Sequence, residues 1–198
     1  MDLVIGADGL ARCGWAGGTA DYLAYHDLEW GRPVRTDDAL FERLTLEAFQ
    51  SGLSWLTILR KRPAFRAAFD DFAIAKVAGY GDADVARLMA DAGIVRNRAK
   101  IDAAIANARA ALDLPDGLAG LLWSFAPPPR GRRPASFAEV PSTTPESAAL
   151  AKDLQRRGFR FVGPTTAYAM MQATGMVDDH LAGCHVEPSA PDAARRPS

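Results

Sequence analysis

The stretch Lys152-Asp-Leu-Gln-Arg-Arg-Gly158-Phe-Arg-Phe-Val-Gly163-Pro-Thr-Thr-Ala-Tyr168 decides how the rest of the chain is read. A basic segment stops at Gly158, and Gly163-Pro164 opens an apolar segment that continues to Ala173. Glycine closing one periodic run and proline opening the next are the signals of a helix end and a helix start. The spacing therefore predicts two helices joined by a tight turn. The second would begin with free backbone N–H groups around Gly163, Thr165 and Thr166, a seat that favours a phosphate without reading sequence. Most helix–turn–helix joints bind nothing, so this pattern has to be weighed with the rest of the chain.

Outward from that joint, apolar spacing is helical: Leu40, Phe41, Leu44 and Ala48, then Val85, Leu88 and Met89, then Ile101, Ile105, Ala108 and Leu112. Thr36 or Asp37 suits the cap of the first of these helices and Asp82 that of the next. Pro145 and Glu146 suit the first turn of a helix that runs to Arg157. Alternation of the strand type is nearly absent, and the proline- and arginine-rich run Ala126 to Pro134 reads as a loop. The expectation is an all-α fold in a single domain over residues 11–186, with 1–10 and 187–198 as flexible termini. Residues 1–35 read as irregular and aromatic-rich, 36–125 as a helical body, and 140–186 as two or three further helices.

At 198 residues the chain is long enough to bury a core without covalent staples. Asp2 and Asp8 interrupt the start of the chain, which does not read as a signal peptide. No apolar run approaches the roughly 20 residues of a membrane span. A monomeric protein of the reducing cytoplasm, with no membrane partner, is expected. The formal net charge of −1 does not mark a nucleic-acid binder. Phosphate neutralisation depends on local clusters instead, and these recur at Arg60 to Arg62, Arg96 to Lys100, Arg130 to Arg133 and Lys152 to Arg160. Each is also what an ordinary solvated surface looks like.

The chain has two cysteines and three histidines. Four of these five form two short groups, Cys13 with His26 and His180 with Cys184. His180 and Cys184, four apart, would share one face of a helical turn, within reach of one tetrahedral zinc, and Cys13 and His26 would arrive from the irregular N-terminal segment. Two readings stay open at this point: a four-ligand structural site, or cysteines packed as small hydrophobes beside satisfied histidines. His185 is a spare ligand.

On the helix that starts near Asp37, Glu47 falls in line with Leu40 and Leu44. A carboxylate there is desolvated at a cost unless it has partners or a task, although a side chain snorkelling at the edge of the stripe is the plainer alternative. Leu53, Ser54 and Trp55 follow at the probable helix end. Trp15, Tyr22, Tyr25 and Trp30 crowd the N-terminal segment. Flat faces with an acceptor nearby are what a flipped nucleobase needs, and they are equally what a core uses.

Taken together, Arg12 to Trp15, Tyr25 to Gly31, Leu46 to Trp55, Asp91 to Ile101 and Arg157 to Gly163 with Asp179-His180 resemble, in order, the 3-methyladenine DNA glycosylase I family. The resemblance covers nearly the whole chain. It implies a helix-hairpin-helix glycosylase fold whose terminal segments are joined by one structural zinc on Cys13, His26, His180 and Cys184. It also implies double-stranded DNA with alkylated adenine as substrate. Glu47, ionised, would hold the base edge, Trp55 would stack on the base, and Trp15 and Tyr25 would complete the pocket, with Trp30 and Tyr22 as packing. Leu53 is the candidate to fill the gap left by the extruded base. Thr165 stands where strand-cutting members of the superfamily carry a lysine, which implies base hydrolysis without lyase activity. Phe161 replaces a glycine usual in the hairpin. Asp178 lies near the superfamily's catalytic aspartate and is open between that role and a helix cap.

Overall fold

In the computed structural model, which describes residues 2–188, Leu3–Ile5 (β1) and Ala11–Cys13 (β2) pair antiparallel with Leu3 opposite Cys13. An ordered strand pair thus stands where a flexible terminus was expected over 1–10. The β-branched Val4 and Ile5 favour extended backbone, and the Gly6 N–H donates to the Leu10 carbonyl at 2.9 Å to close the turn. Part of the expected C-terminal tail, 189–198, lies outside the described residues.

A 3-10 turn over Gly14–Gly18 leads to α1 (Ala20–Leu28), whose cap Thr19 accepts from the Tyr22 N–H at 3.2 Å. The stretch expected to be irregular therefore contains a helix, and His26 stands in its last turn. Periodicity misses α1 because its polar and apolar residues do not separate into two faces.

The remaining helices are α2 (Asp37–Gln50), α3 (Trp55–Ala68), α4 (Ile74–Ala78), α5 (Asp82–Ala90), α6 (Arg98–Leu112), α7 (Gly117–Ser124), α8 (Pro145–Arg156) and α9 (Pro164–Ala173). This is the mostly helical architecture that the spacing predicts. Thr36 is the N-cap residue of α2, and the Asp37 carboxylate instead accepts from the Ala119 N–H at the start of α7, at 2.7 Å. Gly81, not Asp82, caps α5, and the Asp84 side chain reaches back to the Gly81 N–H.

Contacts group the chain into two units, Met1–Pro33 with Pro127–Pro141 and Met171–Ser198, and Val34–Ala126 with Ser142–Met170. In the first, a small core of Cys13, Leu181, Cys184 and Val186 is flanked by Leu3, Trp15, Phe137 and Val140. In the second, α2 is buried around its whole circumference from Leu40 to Phe49. Phe49 packs edge-on against Phe65 at 4.9 Å and Phe69 stacks on Phe72 at 5.5 Å. Lys100 is buried, and its Nζ donates to the Phe49 and Ser51 carbonyls at 2.9 and 2.7 Å. An ammonium at those last carbonyls satisfies orphan acceptors and complements the negative helix end.

The joint between α8 and α9 is held from α6. Asn107 is buried, its Oδ1 accepts from the Arg160 N–H at 2.7 Å, and its Nδ2 donates to the Arg160 carbonyl at 3.1 Å. Gln155 adds a bond from Nε2 to the Val162 carbonyl at 2.8 Å. Asn107→Ala removes two bonds worth about 1 kcal/mol each. Urea unfolding should show a loss of about 2 kcal/mol, with faster hydrogen exchange confined to residues 158–163.

Candidate functional site

Four side chains of the first unit converge on one point. Cys13 ends β2 and His26 comes from α1. The spacing of His180 and Cys184 predicts a shared helical face, but neither residue lies in a helix. They flank a tight turn in which the Cys184 N–H donates to the Leu181 carbonyl at 3.0 Å and Gly183 takes φ +87°. That left-handed glycine breaks any helix, yet the turn brings the two side chains to the same place. All four residues are buried, and their ligand atoms lie within 4.8 Å of one another.

The spacing can be tested against a tetrahedral ion. Bonds of about 2.3 Å to sulfur and about 2.05 Å to nitrogen set each S···N edge near 3.6 Å. The Cys184 Sγ lies 3.5 Å from His26 Nε2 and 3.6 Å from His180 Nδ1, and the Cys13 Sγ lies 3.8 Å from His180 Nδ1. Hydrogen bonding from Cys13 and then from the two imidazoles holds the Cys184 thiol far below its ordinary range, while pairing with Cys184 and burial push Cys13 up. The group could hold a metal ion, and four protein ligands would leave no position for a reacting water.

Trp15 sits beside this centre. Its ring meets His26 and Trp30 edge-on at 5.2 Å each and Tyr22 at 5.8 Å, and lies 6.3 Å from buried Tyr25. Trp30 in turn packs edge-on against His180 at 4.7 Å. The aromatics of the N-terminal segment are therefore a cluster built on the two histidines.

In the second unit Glu47 is 7% exposed, three residues before the end of α2. Burial raises its pKa from 4.5 to about 8, against the opposing charge of Arg43. The sequence expectation of an ionised Glu47 changes accordingly, because at neutral pH the carboxyl of the free protein is mostly protonated. The helix is followed by an exposed turn, with Gly52 at φ +83° and Leu53 42% exposed. Trp55 then opens α3, where the cap Ser54 accepts from the Thr57 N–H at 3.2 Å.

At the α8–α9 joint Gly158 has φ +94° and Phe161, exposed, has φ +55°. A glycine would take that left-handed conformation without strain, and Phe161 holds it at a cost. Pro164 is the first residue of α9, Gly163 precedes it, Thr165 is exposed and Thr166 half-buried.

The basic clusters divide. Arg130 pairs with Asp179, Arg132 with Glu139 and Arg133 with Asp178, so the loop arginines answer carboxylates of their own unit. Asp178 also accepts from the His180 N–H at 3.2 Å, in a segment outside any helix, so it is not the cap of a helix. Lys61 donates to the carbonyls of Ala92 and Gly93, and Lys100 is inside. On α8, Lys152 and Arg156 are exposed, though Arg156 and Arg157 both reach Asp153.

Asp27, Arg12 and the carbonyl of Trp30 also surround the centre, and the sequence did not single them out. Asp27 receives His26 Nδ1 at 2.7 Å and Arg12 through three contacts of 2.8–3.0 Å. The available signal was adjacency, since each follows or precedes a ligand or sits in an aromatic motif.

With this geometry in view, likeness to known proteins is informative. The sequence profile of the methyladenine glycosylases matches residues 15–187. The DNA-3-methyladenine glycosylase 1 of Escherichia coli strain K12 is 46% identical over 179 residues, covering 88% of this chain and 96% of that protein. The DNA-3-methyladenine glycosylase of Haemophilus influenzae is 42% identical, covering 87% and 96%. A structure of 3-methyladenine DNA glycosylase I from Staphylococcus aureus superposes with a TM-score of 0.86 at 35% identity, covering 91% of this chain and 98% of that one. The helical fold and these relatives define the chain as an enzyme of the N-glycosyl hydrolase class. It belongs to the 3-methyladenine DNA glycosylase I family.

Proposed function

We propose that the protein releases 3-methyladenine from alkylated double-stranded DNA by hydrolysis, without cutting the strand. The observation that carries this reading is a carboxyl buried in the central helix of a chain whose relatives are named for that base. Methylation at N3 makes adenine in DNA cationic and weakens its glycosidic bond. The base departs with the electrons of that bond as neutral 3-methyladenine, while water adds to the anomeric carbon and loses a proton. What the enzyme supplies is extrusion and selection. Glu47 accepts from the base edge and answers its charge, Trp55 stacks on the ring, and Trp15 and Tyr25 are the further base contacts. Leu53 occupies the gap in the duplex, in keeping with its exposure in the turn after α2. Thr165 has no amine with which to form a Schiff base, which supports the absence of lyase activity.

The four-ligand group is assigned one structural zinc, on the match of its S···N edges to a tetrahedral ion and on its two thiols and two imidazoles. When bound, the ion ties the N- and C-terminal segments of its unit together. Both cysteines are free and buried, which suits a reducing cytoplasm. Among the described residues no helix is long and apolar enough to cross a membrane.

Chromatography of bases released from methylated DNA tests the substrate. Dominant 3-methyladenine supports the reading, and dominant 7-methylguanine overturns it. The α8–α9 joint is assigned to the DNA backbone as a helix-hairpin-helix through Gly163, Thr165 and Thr166. Replacing Lys152 and Arg156 by alanine should weaken DNA binding and reduce the slope of log K against log salt by about 1 to 2. An unchanged slope in a fluorescence-anisotropy titration would remove α8 from the interface.

A further inference from the structure

Each of three metal-ligand candidates has a sequence neighbour that turns away from the centre and meets the others on one carboxylate. Arg12 precedes Cys13, Asp27 follows His26 and His185 follows Cys184. Asp27 Oδ1 lies 2.7 Å from His26 Nδ1, 3.0 Å from His185 Nε2 and 3.0 Å from Arg12 Nε, while Oδ2 takes Arg12 Nε and Nη2 at 3.0 and 2.8 Å. Arg12 is itself 3% exposed and reaches Asp8 with its other edge.

His26, Asp27 and His185 also have the composition of a second cation site. Their distances exclude it. A tetrahedral ion with bonds near 2.1 Å would hold nitrogen and oxygen about 3.4 Å apart, whereas both contacts here are of hydrogen-bond length. The guanidinium of Arg12 already lies against the carboxylate, where a second cation would be repelled.

We infer that Asp27, held by Arg12, is a positioning residue for the metal centre that fixes His26 as the Nδ1–H tautomer, with Nε2 turned to the ion. The inference rests on the metal-site reading above. An ionised carboxylate only accepts, so the proton of a neutral imidazole in contact with it must be on Nδ1. The Cys13 N–H also points at Nε2, at 3.4 Å, consistent with a lone pair there. His180 is held in the opposite sense. Its Nε2 lies 3.1 Å from the Trp30 carbonyl, and its Nδ1 faces the two sulfurs. Gly31, at φ +76°, lets that carbonyl approach, since a Cβ there would come within 3.0 Å of His180 Nε2. The two histidines therefore present different nitrogens, and each is oriented by an acceptor on its far side. Such partners fix ring orientation and raise ligand basicity.

The test uses the full chain and zinc ion alone. Zinc affinity is measured by competition with a chromophoric chelator for wild type, Asp27→Ala and Asp27→Asn, and histidine tautomers are read by long-range 1H–15N NMR of the zinc-loaded wild type. Wild type should bind one zinc, with His26 protonated at Nδ1 and His180 at Nε2. Asp27→Ala should bind zinc about 10- to 100-fold more weakly, and Asp27→Asn, which keeps an acceptor, should recover part of the loss. A wild type that binds no zinc overturns the metal reading and this inference together. Zinc-bound wild type with His26 protonated at Nε2 overturns the inference alone, whether or not the variants fold, and so does Asp27→Ala with wild-type affinity.

Discussion

Glu47→Gln should reduce release of 3-methyladenine from methylated DNA by at least about 100-fold, the scale of losing one preorganised electrostatic contact to a developing charge. Glu47→Ala should do the same, and both proteins should remain folded by circular dichroism. The pH profile makes the expectation more specific. With its pKa raised to about 8, Glu47 in the free enzyme gains its charge only as pH climbs through that value. If the ionised form selects the cationic base, kcat/KM for excision should rise about tenfold per pH unit below 8 and level above it. A flat profile between pH 6 and 8 would sink the role given to the carboxylate.

Stability should move the other way. The folded protein holds a proton on Glu47 that the unfolded chain releases near pH 4.5. Between pH 4.5 and about 8 the native state therefore binds more protons, and stability falls as pH rises across that window before levelling off. The span corresponds to about 5 kcal/mol as an upper bound. Glu47→Gln should flatten that slope, leaving the variant the more stable protein at pH 8 in thermal melts. One residue would then show activity rising over the pH range in which it costs stability, the trade-off expected of a buried functional group.

The second large effect concerns the metal. Two metal-ligand candidates, Cys13 and Cys184, are themselves members of a core cluster of the first unit, beside Leu181 and Val186. Where ligands brought from both ends of the chain are part of the packed core, the free energy of metal binding is in large part folding free energy. For a chain of this length 1 kcal/mol shifts Tm by about 2–4 °C, so losing several kcal/mol should lower Tm by more than 10 °C. Protein stripped with a strong chelator, or Cys184→Ser, should show that drop, and zinc should restore the stripped protein and its base release together. A metal-free protein that melts with the holo form would remove the structural role. Activity lost at unchanged Tm would point instead to an ion acting in the chemistry, which four protein ligands leave no room for.

Much of this was legible along the chain because it is local. Helices α2, α6 and α8 follow from side-chain period and end signals that act over one or two turns. Gly158 and Gly163-Pro164 define the joint between α8 and α9 by backbone preference alone. The four-ligand group was visible because cysteine and histidine are scarce here, although the path between His180 and Cys184 was not, since a tight turn with left-handed Gly183 and a helical turn can bring the same pair together.

The tertiary structure decided what depends on residues far apart in sequence. Whether a lysine or arginine is a free surface charge is set by where a carboxylate or carbonyl arrives from elsewhere. Lys100 ended beneath α2 and Arg133 beside Asp178, although both sit in basic clusters that read alike as solvated. Glu47 shows the same division. Its place on the apolar stripe is a matter of helical period, while its charge state follows from the depth of burial that packing gives α2 on every side, because desolvation is a property of the whole surroundings and not of the helix that carries it.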